Sequence, residues 1–167
     1  MVEVTKGIFT GNDYDYYLIK DKNDWAVLHC CKDPFHKDFV GYRGSLSSNH
    51  PNYAYYIKGN EMALNLVDLD NFNKAYLDFN KEMIEAAFNF LDSFRDNGKK
   101  ILIHCNQGES RGPSLCMLYS AKCGAFDYAN FEDTVYEFRY IYPNYNPKYN
   151  IYCTVRYLWE YFVKGAY

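Results

Sequence analysis

Between Met83 and Gly124 the apolar residues change their spacing twice, and that change is what most limits the possible folds. Met83, Ile84, Ala87, Phe88, Leu91 and Phe94 recur every three or four positions, the spacing of one buried helix face. Asn80 stands where an N-cap belongs, and Asn97-Gly98 makes a stop, because glycine accepts the left-handed conformation there. Lys100-Ile101-Leu102-Ile103-His104 then reads as a buried strand ending at Cys105. Pro113 suits the first turn of a following helix, with Leu115, Leu118 and Tyr119 on its face and Gly124 as its stop. Further helices are expected over about 130–141, ended by Pro143, and from about Pro147 onward with Ile151, Val155, Leu158 and Phe162 on one stripe. Upstream, 25–29 and 62–67 read as short apolar strands, separated by an exposed polar loop over 41–52.

Strand, helix, strand and helix in succession predict an α/β fold: a central, mainly parallel sheet flanked by helices. No repeat or linker breaks the chain, so one domain is expected over residues 1–167. Ligands of such sheets bind beyond the carboxyl ends of the strands, and Cys105 sits at one of those ends.

The segment from His104 to Pro113 joins strand to helix through Cys105-Asn106-Gln107-Gly108-Glu109-Ser110-Arg111-Gly112. A cysteine and an arginine six positions apart mean little alone. Between a buried strand and a helix they mean more. A tight loop there turns successive N–H groups inward as a nest for a dianion, and the helix N-terminus adds positive potential. Arg111 offers a two-pronged donor to phosphate oxygens. The same field favours the thiolate of Cys105, an in-line nucleophile that would form a thiophosphate intermediate. Gly108 permits the backbone conformation that the turn requires.

With these residues, the chain from about Asn65 to Phe162 resembles the dual-specificity branch of the cysteine-dependent protein tyrosine phosphatase superfamily. That family carries His-Cys, five residues and Arg between a strand and a helix. Tyr142-Pro143 and Asn146-Pro147 extend the likeness, whereas the first 60 residues share only its outline. The resemblance implies a protein tyrosine phosphatase-like fold and hydrolysis of phosphotyrosine, with phosphoserine and phosphothreonine as further substrates. It implies Cys105 as nucleophile and Arg111 as clamp, with Asn106, Gln107, Gly108, Glu109, Ser110 and Arg111 cradling the phosphate. A carboxylic acid must protonate the leaving oxygen. The family pattern, laid on Leu64, places it at Asp70; Asp68 is the rival, because the expected proline is absent.

The chain departs from that pattern after the arginine, where relatives carry serine or threonine and this one has Gly112. The missing hydroxyl predicts slow breakdown of the phosphoenzyme, partly made good by Ser110 or Ser114, and a gain in turnover for Gly112→Ser. The neutral and acidic loop residues, Glu109 among them, favour phosphorylated protein over inositol lipid as substrate. A catalytically weak module that binds phosphoresidues is the alternative.

Composition excludes other classes. At 49% apolar and 23% charged the chain is globular, and a net charge of −3 with no basic stripe argues against nucleic acid as partner. No membrane span or signal peptide is visible, so a cytoplasmic location with reduced cysteines is expected. His29, Cys30, Cys31 and His36 do not have zinc-ligand spacing, and neither metal nor other cofactor is expected. His104 reads as a buried residue that orients the loop, and Arg43 as an exposed arginine. Nothing in the sequence specifies an oligomeric state.

Overall fold

The structure, a computed structural model, describes residues 1–126 and 130–165. Its centre is a six-stranded sheet in the order β1-β2-β6-β3-β5-β4. The strands are β1 (Val2–Thr5), β2 (Ile8–Gly11), β3 (Trp25–His29), β4 (Tyr55–Lys58), β5 (Glu61–Leu64) and β6 (Lys100–His104). The inner four run parallel, and β1 and β4 close the two edges antiparallel. The mainly parallel sheet is therefore present. β3 is buried along its whole length and β6 from its second residue, as expected for strands covered on both faces.

The helices are α1 (Asp13–Tyr17), α2 (Lys37–Val40), α3 (Leu77–Arg95), α4 (Arg111–Lys122), α5 (Phe131–Ile141) and α6 (Tyr149–Phe162). α3 and α4 both lie against β6 and both touch α6, so these three share one side of the sheet. Met83, Ile84, Ala87, Phe88 and Leu91 form the buried stripe of α3, as their spacing requires. Gly98 and Gly124 take positive φ just beyond α3 and α4, and Asn130 caps α5 by accepting from Asp133 N–H.

Several elements differ from expectation. α3 starts before Asn80, after a short 3₁₀ turn (Lys74–Tyr76) capped by the Asn73 side chain. Asn80 is thus an interior, buried helix residue and caps nothing. The strand expected to reach residue 67 ends at Leu64, and 65–69 continues outside the sheet ladder. The β1–β2 hairpin, α1 and α2 have no counterpart in the apolar spacing, being four or five residues long.

Register brings the site together. Gly11 and His29 both pair with His104, and His29 also pairs with Ala63, so four carboxyl ends lie side by side. The chain leaving each end, at residues 12, 30, 65 and 105, must pass over the same edge of the sheet.

Candidate active site

The loop from Cys105 to Ser110 is held by its carbonyl groups. Asn106 O accepts from Asp13 N–H at 3.3 Å and Glu109 O from Asn146 N–H at 2.9 Å. Gly108 O accepts from the Tyr142 hydroxyl at 2.8 Å. With those oxygens turned outward to neighbouring segments, the N–H groups of Gln107, Gly108, Glu109 and Ser110 find no acceptor among the described residues. Successive backbone amides left without partners, at Gly108 and Ser110 in buried residues, are the arrangement that suits an anion. Gly108 is needed twice over: its φ is +72°, and a Cβ there would lie 2.9 Å from the carbonyl group of Gly11.

Arg111 opens α4 with its side chain only 16% exposed. Its Nη1 donates to Leu66 O at 3.2 Å and its Nη2 reaches Asn106 Oδ1 at 3.5 Å. Its Nε is buried with no hydrogen-bond partner, a donor left for an oxyanion. Cys105 is 2% exposed at the loop's start. Asn106 is half-buried and anchored by its amide on Asp33 O at 2.9 Å, whereas Gln107 and Glu109 point to solvent.

The two candidate acids part company. Asp68 accepts from Ser110 Oγ at 3.1 Å, and its second oxygen lies 3.7 Å from Arg111 Nε. Burial pushes its carboxyl above the usual range, against the Ser110 hydrogen bond and the charge of Arg111. Asp70, which the sequence pattern favours, is not brought to the loop. Its side chain is 82% exposed and tied to Lys148 Nζ at 2.8 Å. Asp70 lies two residues beyond Asp68, so simple alternation would keep both on one side; the pair with Lys148 is what holds Asp70 outward.

The family profile described as "Dual specificity phosphatase, catalytic domain" matches residues 42–153. The chain belongs to the dual specificity phosphatase family. Dual specificity protein phosphatase 5 of Rattus norvegicus is 43% identical over 42 residues, a quarter (25%) of this chain and 11% of that protein. The chain thus spans a small part of the length of such a curated relative. Among solved structures, a leucine rich repeat and phosphatase domain containing protein from Entamoeba histolytica superposes with a TM-score of 0.63 at 11% identity, covering 99% of this chain and 94% of that one. A human tyrosine phosphatase-like serine/threonine/tyrosine-interacting protein gives a TM-score of 0.55 at 17% identity, covering 94% and 93%. At those identities the likeness is one of fold.

Two features of this dual specificity phosphatase domain bear on its chemistry. The first is Gly112. A Cβ at that position would lie 2.6 Å from His104 C, 2.7 Å from Cys105 N and 2.8 Å from His104 Cα. The glycine is a packing requirement and not merely a missing hydroxyl, which corrects the expectation that serine would improve it. The proposed substitutes are also engaged elsewhere. Ser114 Oγ pairs with Tyr145 OH at 3.0 Å, and Ser110 Oγ donates to Asp68 while accepting from Lys148 N–H at 3.0 Å.

The second is a buried relay behind Cys105, which sequence reading left unseen. His104 Nε2 lies 2.6 Å from His29 Nδ1, and His29 Nε2 lies 2.9 Å from Glu61 Oε2. The Tyr16 hydroxyl donates to the same carboxylate oxygen at 3.0 Å. A carboxylate only accepts, so His29 carries its proton on Nε2 and His104 must donate through Nε2. The other ring nitrogen, His104 Nδ1, lies beside the Cys105 backbone, which favours the protonated ring against burial, and has no partner in hydrogen-bond geometry. Tyr16 stacks on the His104 ring and Phe35 on the His29 ring, which excludes water. His36, the other histidine of this region, is occupied by Tyr42 OH and Asn52 O. Among the described residues no cluster of three metal-ligating side chains occurs.

Burial holds both relay histidines below the usual histidine range, His104 well below it. The unfolded chain would take up protons near pH 6.5 that the folded one refuses. Stability is therefore full above that pH and is lost as pH falls, by at most about 1.4 kcal/mol per pH unit for each ring. Asp68, raised in the fold, opposes this at lower pH with a single partly solvated group. Urea midpoints should drop between pH 7.5 and 5.5, with burial holding half-buried His36 low as well, and His29→Phe should cut the slope by roughly a third. A midpoint that stays flat over that interval would rule out two neutral buried rings.

Proposed function

We propose that this domain hydrolyses phosphotyrosine, and phosphoserine or phosphothreonine, in protein substrates through a covalent phosphocysteine. The observation that supports it most is the loop of unpartnered N–H groups between Cys105 and Arg111, completed by Arg111 Nε, which makes no hydrogen bond and only a 3.7 Å ion pair with Asp68. Cys105 Sγ attacks phosphorus as the ester P–O bond breaks. Asp68 gives its proton to the leaving oxygen. The amides of Asn106 to Arg111 and the guanidinium hold the equatorial oxygens. In the second step Asp68, now ionised, takes a proton from water as the water oxygen bonds phosphorus and the S–P bond breaks. Gln107 and Glu109, exposed on the rim, are placed to meet the peptide and not the phosphate.

One observation favours a second reading. Gly112 lacks a hydroxyl, and the hydroxyls of Ser110 and Ser114 are both engaged and so not free to assist the departing sulfur. A cradle that binds phosphoresidues and releases them slowly follows from that. Rapid-quench assays with p-nitrophenyl phosphate separate the two. The enzyme reading expects continued, vanadate-sensitive release of p-nitrophenol and a phosphoryl group recovered on Cys105 by peptide mass spectrometry. A phosphopeptide bound tightly with no release and no labelled Cys105 would leave only the binding module.

A further inference from the structure

Beyond β5 the segment 65–69 has two working faces. Leu66 and Asp68 turn toward the phosphate loop, through Leu66 O on Arg111 Nη1 and Asp68 on Ser110 Oγ. Asn65, Val67 and Leu69 instead line a cavity of about 220 Å³. Three features of its remaining wall are unexplained by folding.

Asn80 and Asn150 are buried polar residues, 6% and 3% exposed. Both line this cavity. Asn80 caps no helix, and its carboxamide has no hydrogen-bond partner among the described residues. Asn150 accepts from Asn73 N–H at 3.4 Å through Oδ1, which leaves its NH₂ group unpartnered. Lining the cavity, these side chains leave amide N–H groups free for whatever fills it. Lys32 reaches the same cavity, and among the described residues no carboxylate lies within ion-pairing distance of its ammonium. Opposite these polar groups stand the rings of Tyr53 and Phe79, centroids 5.6 Å apart and tilted at 54°, with the exposed side chains of Val67 and Leu69.

We propose that this cavity is a binding site for a small aromatic carboxylate. The donor set specifies the anion: one ammonium and amide N–H groups suit a monoanionic carboxylate, whereas a phosphate dianion calls for the denser cradle next door. The apolar wall specifies a ring that packs on Tyr53 and Phe79. The volume is below the roughly 300–1,000 Å³ of drug-sized sites, which limits the ligand to about one substituted ring. Such an occupant rests on Val67 and Leu69 and thereby fixes Asp68 between them. This coupling depends on Asp68 being the acid; the binding does not.

The probe is 4-hydroxyphenylacetate, with 4-hydroxyphenylacetamide as its uncharged counterpart. Orthovanadate is kept in the phosphate loop, and binding is followed by the side-chain amide NMR signals of asparagine. The carboxylate should shift the Asn80 and Asn150 signals and saturate at about millimolar concentration. The amide should bind about fivefold more weakly, and Lys32→Met should bring the carboxylate to the level of the amide. Asn80→Leu, which fills the polar corner, should abolish the shifts at Asn150 while the thermal midpoint reports whether the variant is folded. Absence of shifts in the wild-type protein, loss of binding once vanadate is present, or unchanged affinity in Lys32→Met would overturn the site. Without vanadate, saturating carboxylate should change p-nitrophenyl phosphate turnover at least about twofold in wild type and not in Lys32→Met. Binding with unchanged turnover would overturn the coupling and leave the site. A protein that binds the probe but shows no turnover at all would overturn the phosphatase reading alone.

Discussion

Gly112→Ser should lose activity on p-nitrophenyl phosphate by about a hundredfold or more and lower the thermal midpoint, although serine is what relatives carry at that position. The added Cβ would begin 2.6 Å from a backbone carbon and 2.7 Å from a backbone nitrogen. Neither neighbour is the end of a flexible side chain. The carbon belongs to His104, the last residue of β6, and the nitrogen to the residue bonded to it, at a strand end fixed in register by β2 on one side and β3 on the other. The strain must then be relieved by moving the N-terminus of α4 outward, by something like 1 Å. Arg111 sits one residue earlier on that helix, and Cys105 is one of the atoms' owners, so the displacement falls on Arg111 and Cys105 together. Overpacking of this kind costs about 1–3 kcal/mol. Gly112→Ala carries the same Cβ without the hydroxyl and should behave alike in both measurements. If Gly112→Ser instead turns over faster with an unchanged midpoint, the close approach of α4 to β6 is not a constraint on this site.

The parts of the molecule legible in the sequence are those whose signal is local. Lys100–His104, α4, α5 and α6 are each framed by an apolar run or stripe and a cap or glycine stop within a few residues. The cradle is legible for the same reason, because Cys105, Gly108 and Arg111 lie in one short loop. What escaped depends on distant pairing. β1 and β2 are four residues each, and only their place beside β6 makes them strands. The His29 to His104 contact spans 75 residues of chain and exists because β3 and β6 pair in one register. Asn80 has the residue type of a cap and sits near a helix start, yet Asn73 caps the turn that precedes that helix. Gly112 shows the opposite lesson: spacing reveals an absent hydroxyl, but only the fold shows what stands in its place.

The acid poses the same problem, and there the two carboxylates give opposed results. Asp68→Asn should cut hydrolysis of a phosphotyrosine peptide by about 10²–10⁴-fold, since asparagine cannot donate the proton that the tyrosyl oxygen needs. The loss should shrink for an aryl phosphate whose phenol leaves readily without a proton. Burial raises the Asp68 carboxyl, so it keeps its proton to higher pH than an exposed aspartate. In wild type kcat/KM should fall as pH rises through that value, and this alkaline limb should vanish in Asp68→Asn. Asp70→Asn breaks only the surface pair with Lys148, both partners largely in water, and should stay within about threefold of wild type with its alkaline limb intact. The large loss, the leaving-group dependence and the missing limb must travel together in one variant. If they appear in Asp70→Asn, the segment 65–70 turns over when substrate binds, and the sequence pattern, not the contact of Asp68 with Ser110 and Arg111, identifies the proton donor.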